Sequence, residues 1–266
     1  MSDKSSNAEM ISLLSEIRDL LEAQKTEKVK VDVKSMVKEL SSGQLNGDIV
    51  HLYQWNMRWA ALLDERNRRA AKDTYDFIDS EMEDVVFCKD QFEFIRSRSA
   101  DMIEKDGYIL DLGVYKGGST RALASIFPDH EIHGFDSFEG LPGDWSHVLA
   151  GAFGDVKGVL PDMPDNVKLY KGWFDDTLPE WKKKYNKKKI SILRVDCDIY
   201  SSTKTIFDTL ESLIDHNTWI VFDELIGYRG WRDHEHKAFM EFIKKTKYKY
   251  DYMAYGLTYT VAKLRK

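Results

Sequence analysis

Two apolar runs in this sequence end in paired acids. RVDCDIYSST, Arg194 to Thr203, carries Asp196 and Asp198 one residue apart behind KISILRV, and WIVFDEL, Trp219 to Leu225, ends in Asp223 and Glu224. A carboxylate at the end of a buried segment must shed water, and neighbours of like charge repel, so such a group needs a counter-charge. If the two runs are adjacent strands, ~4.8 Å apart in a parallel sheet, the four acids converge at the carboxyl edge where open α/β sheets bind ligands. An all-oxygen set suits Mg²⁺, and a bound metal lowers the pKa of a hydroxyl it holds. On this reading Asp196, Asp223 and Glu224 hold the ion with two vicinal oxygens of an acceptor, and Asp198 is the general base. Alternation along the strand sends Asp196 and Asp198 to one face and Cys197 to the other, leaving Cys197 no chemical role. The same alternation puts Arg194 beside Asp196, so a metal-free, salt-bridged cluster is the competing reading.

Other chemistry-bearing residues sit where strands give way to helices. ILDLGVYKGGSTRAL places Gly113, Gly117 and Gly118 at such a turn, with Ser119 and Thr120 opening the helix. Glycine lets a ligand approach the backbone, and the helix start offers free N–H groups. Tyr115 stands where the dinucleotide fingerprint has its second glycine, so a ligand with an amino acid tail and no phosphate fits better than a pyrophosphate. HGFD ends in Asp136, placed to accept from both hydroxyls of a ribose. KGWFDDTLPE offers Trp173 and Phe174 to stack on an adenine, with Asp175 and Asp176 as acceptors for its amino group.

A scaffold must position these groups. From Gly107 onward, strand candidates YILDLG, EIHGFD, VKLYKG, ISILRVDCD and TWIVFDE alternate with helical STRALASIF, FDDTLPEWKKKY, STKTIFDTLESLI and HEHKAFMEFIKK. That alternation means βαβ units and a parallel sheet covered on both faces. YKYDYMAYGLTYTVAKL reads as two strands about a turn at Tyr255-Gly256, which makes the sheet edge antiparallel. Upstream, Asp48 to about Met82 is helical, with Trp55, Trp59, Leu62 and Leu63 as its packing face. CKDQFEFIRSRSADMIEKDG is a second helix. Residues 8 to 24 form a short amphipathic helix on Met10, Leu13, Ile17 and Leu20, suited to docking on its own domain or on a sister subunit. Trp55 and Trp59, with His51 and Tyr53, are expected to pack in a core rather than cap an acceptor. His234 and His236 are expected to be exposed at a helix start. His147 lies in the glycine-rich span from Glu139 to Asp165, which is long enough to serve as a lid.

Composition narrows the classes. The 266 residues, 42% of them hydrophobic, fit one large α/β domain with an appendage. A net charge of −6 argues against a nucleic-acid partner. No apolar run approaches the ~20 residues of a membrane span, and MSDKSSNAEM lacks the layout of a signal peptide. Cys88 and Cys197 are the only cysteines, so the expectation is a cytoplasmic globular protein without a disulfide framework.

In order along the chain, DLGVYKGGST, FDSFEGLP, GWFDDTLP, RVDCDIYSST and VFDEL resemble the motifs of class I S-adenosylmethionine-dependent methyltransferases. They are most similar to the macrocin O-methyltransferase-type family of sugar methyltransferases, over about Val86 to Lys245. The resemblance implies a Rossmann-like α/β fold: a seven-stranded, mostly parallel sheet of order 3-2-1-4-5-7-6 with strand 7 antiparallel, here behind an N-terminal helical extension. The pieces are then an N-terminal helix and linker (1–45), a helical lead-in (46–106) and the methyltransferase domain (107–266). It further implies S-adenosylmethionine contacted by Asp111, Gly113, Tyr115, Gly117, Ser119, Thr120, Asp136, Ser137, Gly172, Trp173, Phe174 and Asp196. Mg²⁺ would be held by the acids of the last two motifs. Two departures stand out: Glu224 where the family usually has Asp, and Asp111 where it commonly has Glu. The expected function is methyl transfer to a sugar hydroxyl of a natural product or glycan, by a homo-oligomer. Rival readings are a catechol or phenol O-methyltransferase and a non-catalytic donor-binding assembly domain. A nicotinamide dehydrogenase is disfavoured by the missing glycine.

Overall fold

The apolar runs pair into one eight-stranded sheet in a computed structural model that describes residues 47–146 and 148–266, the side chains of 47–61 and 63 excepted. The sheet and the helices packed on it lie in one compact unit, Leu63–Lys266. In chain order the elements are α1 (Gly47–Glu81), β1 (Val86–Phe87), α2 (Gln91–Ser97), α3 (Ser99–Met102), β2 (Tyr108–Leu112), α4 (Gly118–Ile126), β3 (Ile132–Asp136), β4 (Val167–Lys171), α5 (Phe174–Lys184), β5 (Ile190–Val195), α6 (Tyr200–Leu210), β6 (Trp219–Phe222), α7 (Glu235–Thr246), β7 (Lys249–Tyr255) and β8 (Thr260–Arg265). No helix among the described residues is long and apolar enough to cross a membrane.

The sheet runs β1-β7-β8-β6-β5-β2-β3-β4. All pairings are parallel except those of β8 with β6 and β7. With β1 set aside and the others renumbered, the order is the 3-2-1-4-5-7-6 that the sequence motifs implied. The eighth strand corrects the expected seven: Val86 and Phe87 pair in parallel with Ala254 and Tyr255. Two residues are too few for any alternation to show in the sequence. The helix expected from Cys88 to Gly107 is two helices, interrupted at Arg98 (φ −114°, ψ 11°).

The middle strands are apolar without alternation because helices cover both faces. Ile109, Leu110, Leu112, Ile192, Leu193, Val195, Ile220, Val221 and Phe222 are wholly buried. On one face Trp181 of α5, Phe207 of α6 and Phe239 and Phe242 of α7 share a core with Leu110, Leu193 and Phe222. On the other, Phe94 and Ile95 of α2 and Leu123 of α4 pack with Ile109, Ile192 and Val221. Each such side chain contributes roughly 1.5–3 kcal/mol by leaving water.

The C-terminal part of α1 braces the segment that follows β6. Arg232 forms a two-pronged pair with Asp73, at 3.0–3.1 Å. Thr74 Oγ1 accepts from the Gly227 N–H at 3.1 Å, and Phe77 meets the Trp231 ring edge-on at 5.0 Å. His236 belongs to this packing, 5.4 Å from Phe77 and 4.8 Å from Trp231. It is half-buried, as is His234, and neither is the exposed helix-start residue expected. Leu62 is 49% exposed and not part of a packing face. The amphipathic helix of residues 8 to 24, His147, and the side chains of His51, Tyr53, Trp55, Trp59 and Leu63 lie outside the described residues.

His133 of β3 is buried among the rings of Tyr108, Tyr170, Trp181 and Tyr185. Burial pushes its pKa down to about 4, against the pull of Glu131. The unfolded chain takes this proton near pH 6.5 and the native chain only near 4. Stability from the neutral imidazole is therefore complete above the unfolded value and falls with pH through that window, by ~1.4 kcal/mol per unit. Urea unfolding at pH 7.5 and 5.0 is expected to show about 2 kcal/mol less loss in His133→Phe than in wild type. Equal losses would contradict a buried, neutral imidazole.

Candidate active site

At the carboxyl ends of the strands a cleft of about 550 Å³ opens, and most of the residues singled out in the sequence line it. β2 hands over to α4 through Gly113 (φ +108°). A Cβ on Gly113 would fall 1.7 Å from the carbonyl oxygen of Asp196, so only glycine lets the ends of β2 and β5 approach this closely. Tyr115 adopts the left-handed φ of +50° that favours glycine. Its hydroxyl donates to Asp155 at 2.7 Å. Asp136 accepts from Val114 N–H (2.9 Å) and Tyr115 N–H (2.7 Å) on one oxygen and from Phe138 N–H (2.6 Å) on the other. It thereby fastens the glycine turn to β3 while remaining on the cleft wall. Ser137, Gly172, Trp173 and Phe174 line the same cleft.

Asp111, Gly117, Ser119 and Thr120 do not line it. Asp111 is fully buried and accepts from Thr120 Oγ1 at 2.6 Å, Ser119 Oγ at 3.1 Å and Arg194 Nη1 at 3.0 Å. The polar start of α4 is thus consumed in satisfying an acid behind the wall. Gly117 caps α4 with φ +80°, where a Cβ would collide with Met163 Cε.

Arg194, 3% exposed, joins the two acidic motifs. Its guanidinium donates to Asp111, to Asp196 at 2.9 Å and to Asp223, and its Nε donates to Gln91 Oε1 at 3.2 Å. Gln91 in turn donates to Asp223. Asp223 is therefore turned toward Arg194 and Gln91. Oxygens of Asp196, Asp198 and Glu224 instead lie within 4.8 Å of one another.

The strand ends at Val195, so simple alternation does not carry through to Asp198. Asp198 has φ +65°, and the Ile199 N–H bonds the Cys197 carbonyl at 2.6 Å across it. That is a γ-turn of the rare left-handed kind, whose strain the surroundings must hold. It swings Asp198 back toward Asp196 and Glu224. Cys197 is buried with its thiol 3.4 Å from Thr203 Oγ1.

One guanidinium cannot neutralise this many acids. Burial, with the charges of Asp223, Asp198 and Asp111 added, pushes Asp196 up to about 8 despite Arg194. Burial and Asp223 push Asp198 up to about 6, and burial with Asp196 and Asp223 pushes Glu224 up to about 12. Burial also acts upward on Asp223, but Arg194 and its hydrogen bonds outweigh it and hold that carboxyl below the usual range. Glu224 Oε2 is buried with no hydrogen-bond partner. An orphaned carboxylate oxygen, an all-oxygen donor set and surplus negative charge fit a hard divalent cation.

Sequence reasoning missed three residues of this site. Gln91 lies far upstream and carries no motif. Glu235, fully buried, directs Oε1 at the Cys197 N–H (3.4 Å) and sits among the charges of Asp198 and Asp196. Trp145 lines the cleft from within the long Glu139–Asp165 span, where an aromatic was the one available signal.

Comparison with known proteins bears on the fold and the family resemblance. Residues 110–225 match the family model described as a methyltransferase domain. The chain is 26% identical over 141 residues to 8-demethyl-8-(2,3-dimethoxy-alpha-L-rhamnosyl)-tetracenomycin-C 4'-O-methyltransferase of Streptomyces olivaceus, covering 44% of this chain and 52% of that protein. It is 28% identical over 148 residues to demethyldecarbamoylnovobiocin O-methyltransferase of Streptomyces niveus, covering 46% and 54%. The matches thus span about half the length of these curated relatives. Among solved structures, the O-methyltransferase NovP superposes with a TM-score of 0.51 at 21% identity, over 66% of this chain and 80% of that one. CalS11, a calicheamicin methyltransferase, gives 0.53 at 17% identity, over 75% and 91%. The Rossmann-like methyltransferase fold and the resemblance carried by the five motifs are both borne out.

Arg194 is the counter-charge of a fully buried acid, so its loss strands Asp111. Arg194→Gln is expected to lower the free energy of unfolding by about 3–5 kcal/mol in a urea titration. A loss below about 1 kcal/mol would mean that the cluster does not depend on this cation.

Proposed function

Taking residues 110–225 as a methyltransferase domain, we propose that this chain moves a methyl group from S-adenosylmethionine to a sugar hydroxyl of a natural product or glycan, with a divalent cation at the acid cluster. The observation that carries the proposal is that Asp196, Asp198 and Glu224 share the cleft with the Gly113 turn and Asp136. The O-methyltransferase relatives support the reaction class, and the rhamnosyl group in the name of one supports the sugar.

Asp196 and Glu224 would hold Mg²⁺ with Asp198 beside it and free of it, and Asp223 retained by Arg194 and Gln91. A metal bound there supplies Lewis acidity, which lowers the pKa of an acceptor hydroxyl. The remaining work belongs to the chain. The Gly113 turn and Ser137 bound the methionine and ribose parts of the donor, Asp136 accepts from the ribose, and Trp173 and Phe174 cover the adenine. In the displacement the S–CH₃ bond breaks as the O–CH₃ bond forms, and Asp198 accepts the hydroxyl proton. The γ-turn fixes its carboxylate in advance, so little ordering remains to be done at the moment of reaction. The two free cysteines support placing the reaction in the cytoplasm, and a homo-oligomer belongs to the same proposal.

Asp198→Asn is expected to lower turnover by about 10²–10⁴-fold while calorimetric binding of S-adenosylhomocysteine persists. Parallel loss of both would remove the general-base assignment. Chelation of divalent ions is expected to abolish turnover, and Mg²⁺ to restore it. Paramagnetic titration with Mn²⁺ tests the ligand set directly: Glu224→Gln and Asp196→Asn weaken binding about tenfold or more, and Asp198→Asn and Asp223→Asn much less. A stronger effect of Asp223→Asn would return that residue to the metal.

A further inference from the structure

Glu235 is fully buried at the first position of α7, and nothing in the proposed reaction uses it. An acid in the first turn of a helix usually serves that helix, by its charge or by capping an N–H group. Here the carboxyl reaches to another element. His234, the N-cap of α7, makes no side-chain cap bond, and Glu235 Oε1 accepts from the Cys197 N–H at 3.4 Å. Glu235 Oε2 is buried with no hydrogen-bond partner. Burial and the charges of Asp198 and Asp196 push its pKa up, so an acid at this place costs stability.

The bond to Cys197 falls where the sheet lets go of the chain. β5 ends at Val195, and the Asp196 N–H is still held by the Leu112 carbonyl at 2.8 Å. The next N–H, that of Cys197, goes to Glu235. On its other side the Cys197 carbonyl accepts from the Ile199 N–H at 2.6 Å, closing the turn on which Asp198 takes φ +65°. Cys197 is therefore gripped at both of its backbone polar groups, immediately before the strained residue. A non-glycine residue holds such a φ only where its surroundings prevent relaxation. Without an acceptor on residue 235 the Cys197 N–H is a buried donor lacking a partner, which costs more than the bond itself contributes. Rotation of this stretch toward an ordinary φ removes the strain and carries the Asp198 carboxyl away from Asp196 and Glu224.

We propose that Glu235 is a positioning residue: by accepting the Cys197 N–H it fixes the turn that presents Asp198 to the acceptor hydroxyl. Glu235 touches neither substrate nor donor and acts through Asp198. This assignment rests on the methyl-transfer reading above and adds to it the group that holds the base in place.

The test uses the full chain with Glu235→Gln, which keeps an acceptor oxygen, and Glu235→Leu, which removes it. Amide hydrogen exchange followed by NMR needs no turnover. The Cys197 amide is expected to exchange about tenfold or more faster in Glu235→Leu than in wild type or Glu235→Gln, the worth of one hydrogen bond. Unchanged protection of Ile192 and Leu193 in β5 reports that the variant is folded. Should Glu235→Leu fail that check, the near-isosteric Glu235→Gln decides, because a changed acceptor moves the Cys197 amide resonance. In turnover with S-adenosylmethionine, Mg²⁺ and methyl α-L-rhamnopyranoside, Glu235→Leu is expected to lower kcat about 10- to 100-fold with the donor KM little changed. Glu235→Gln stays within about threefold of wild type, since the bond is retained. In the Asp198→Asn background Glu235→Leu has no further effect beyond about twofold, as expected of two residues acting as one unit. Equal exchange at Cys197 in wild type and Glu235→Leu, an unmoved resonance in Glu235→Gln, or losses that add in the double variant would each overturn the role. Absence of methyl transfer by wild type counts against the reaction, and amide exchange alone then decides whether Glu235 holds the turn.

Discussion

The carboxyl edge of the sheet is organised around one buried guanidinium. Arg194 lies directly across from Asp111 in the β2–β5 register and from Val221 in the β5–β6 register. From there it reaches acids contributed by three strand ends. Removing such a cation from water is very costly, and only several well-placed acceptors offset it. Arginine suits the position because its planar fork presents donors in different directions at once. A one-residue slip of β5 would turn Arg194 to the opposite face and leave Asp111 buried without its cation. Strand register and site geometry are thus one constraint. Gln91 extends it to α2, which packs on the other side of the sheet from α5, α6 and α7.

Arg194 compensates incompletely, and that shortfall has chemical use. Asp111, Asp196 and Asp223 share the guanidinium, while Asp198 and Glu224 have none of it. Both are pushed upward by burial and by their neighbours. A cleft with residual negative potential in a low-dielectric setting attracts a cation strongly, since charge interactions there are screened less than in water. The γ-turn at Asp198 stores strain at the same point. Backbone strain of this type persists where the surroundings over-determine it. Here the surroundings are the end of β5, the start of α6 and the buried Glu235 beneath the turn.

The fold was legible because its signals are long and redundant. Runs such as ISILRV and WIVF have no polar face to hide, and the helices between them mark parallel connections. What the sequence concealed is short or non-local. Val86 and Phe87 make a strand only because the edge of β7 is free to receive them. Asp198 was correctly grouped with Asp196 but by the wrong route: alternation holds only to Val195, and a turn invisible in the sequence restores the proximity. Asp111, Ser119 and Thr120 read as donor contacts because a motif cannot say which residues face a ligand and which satisfy one another. Asp223 and Glu224 are adjacent and similar, yet one is captured by Arg194 and the other is not. That distinction depends on Gln91, a residue 132 positions away.

The wall of the cleft toward the glycine turn is held by the protein itself: Asp136 accepts from three backbone N–H groups, and Asp111 behind it accepts from two hydroxyls and Arg194. Three acceptor positions in use leave Asp136 about one for a ligand. The glycine turn depends on backbone approach, which tolerates little change, whereas Trp145 stands on a loop, where side chains can change without disturbing a strand. Glu224 shares the acid triad with Asp196 and Asp198. Its longer arm lets it reach the triad while Asp223, one residue earlier, stays with Arg194. Aspartate at position 224, shorter by one methylene, would have to move the backbone to place an oxygen as near Asp196 and Asp198.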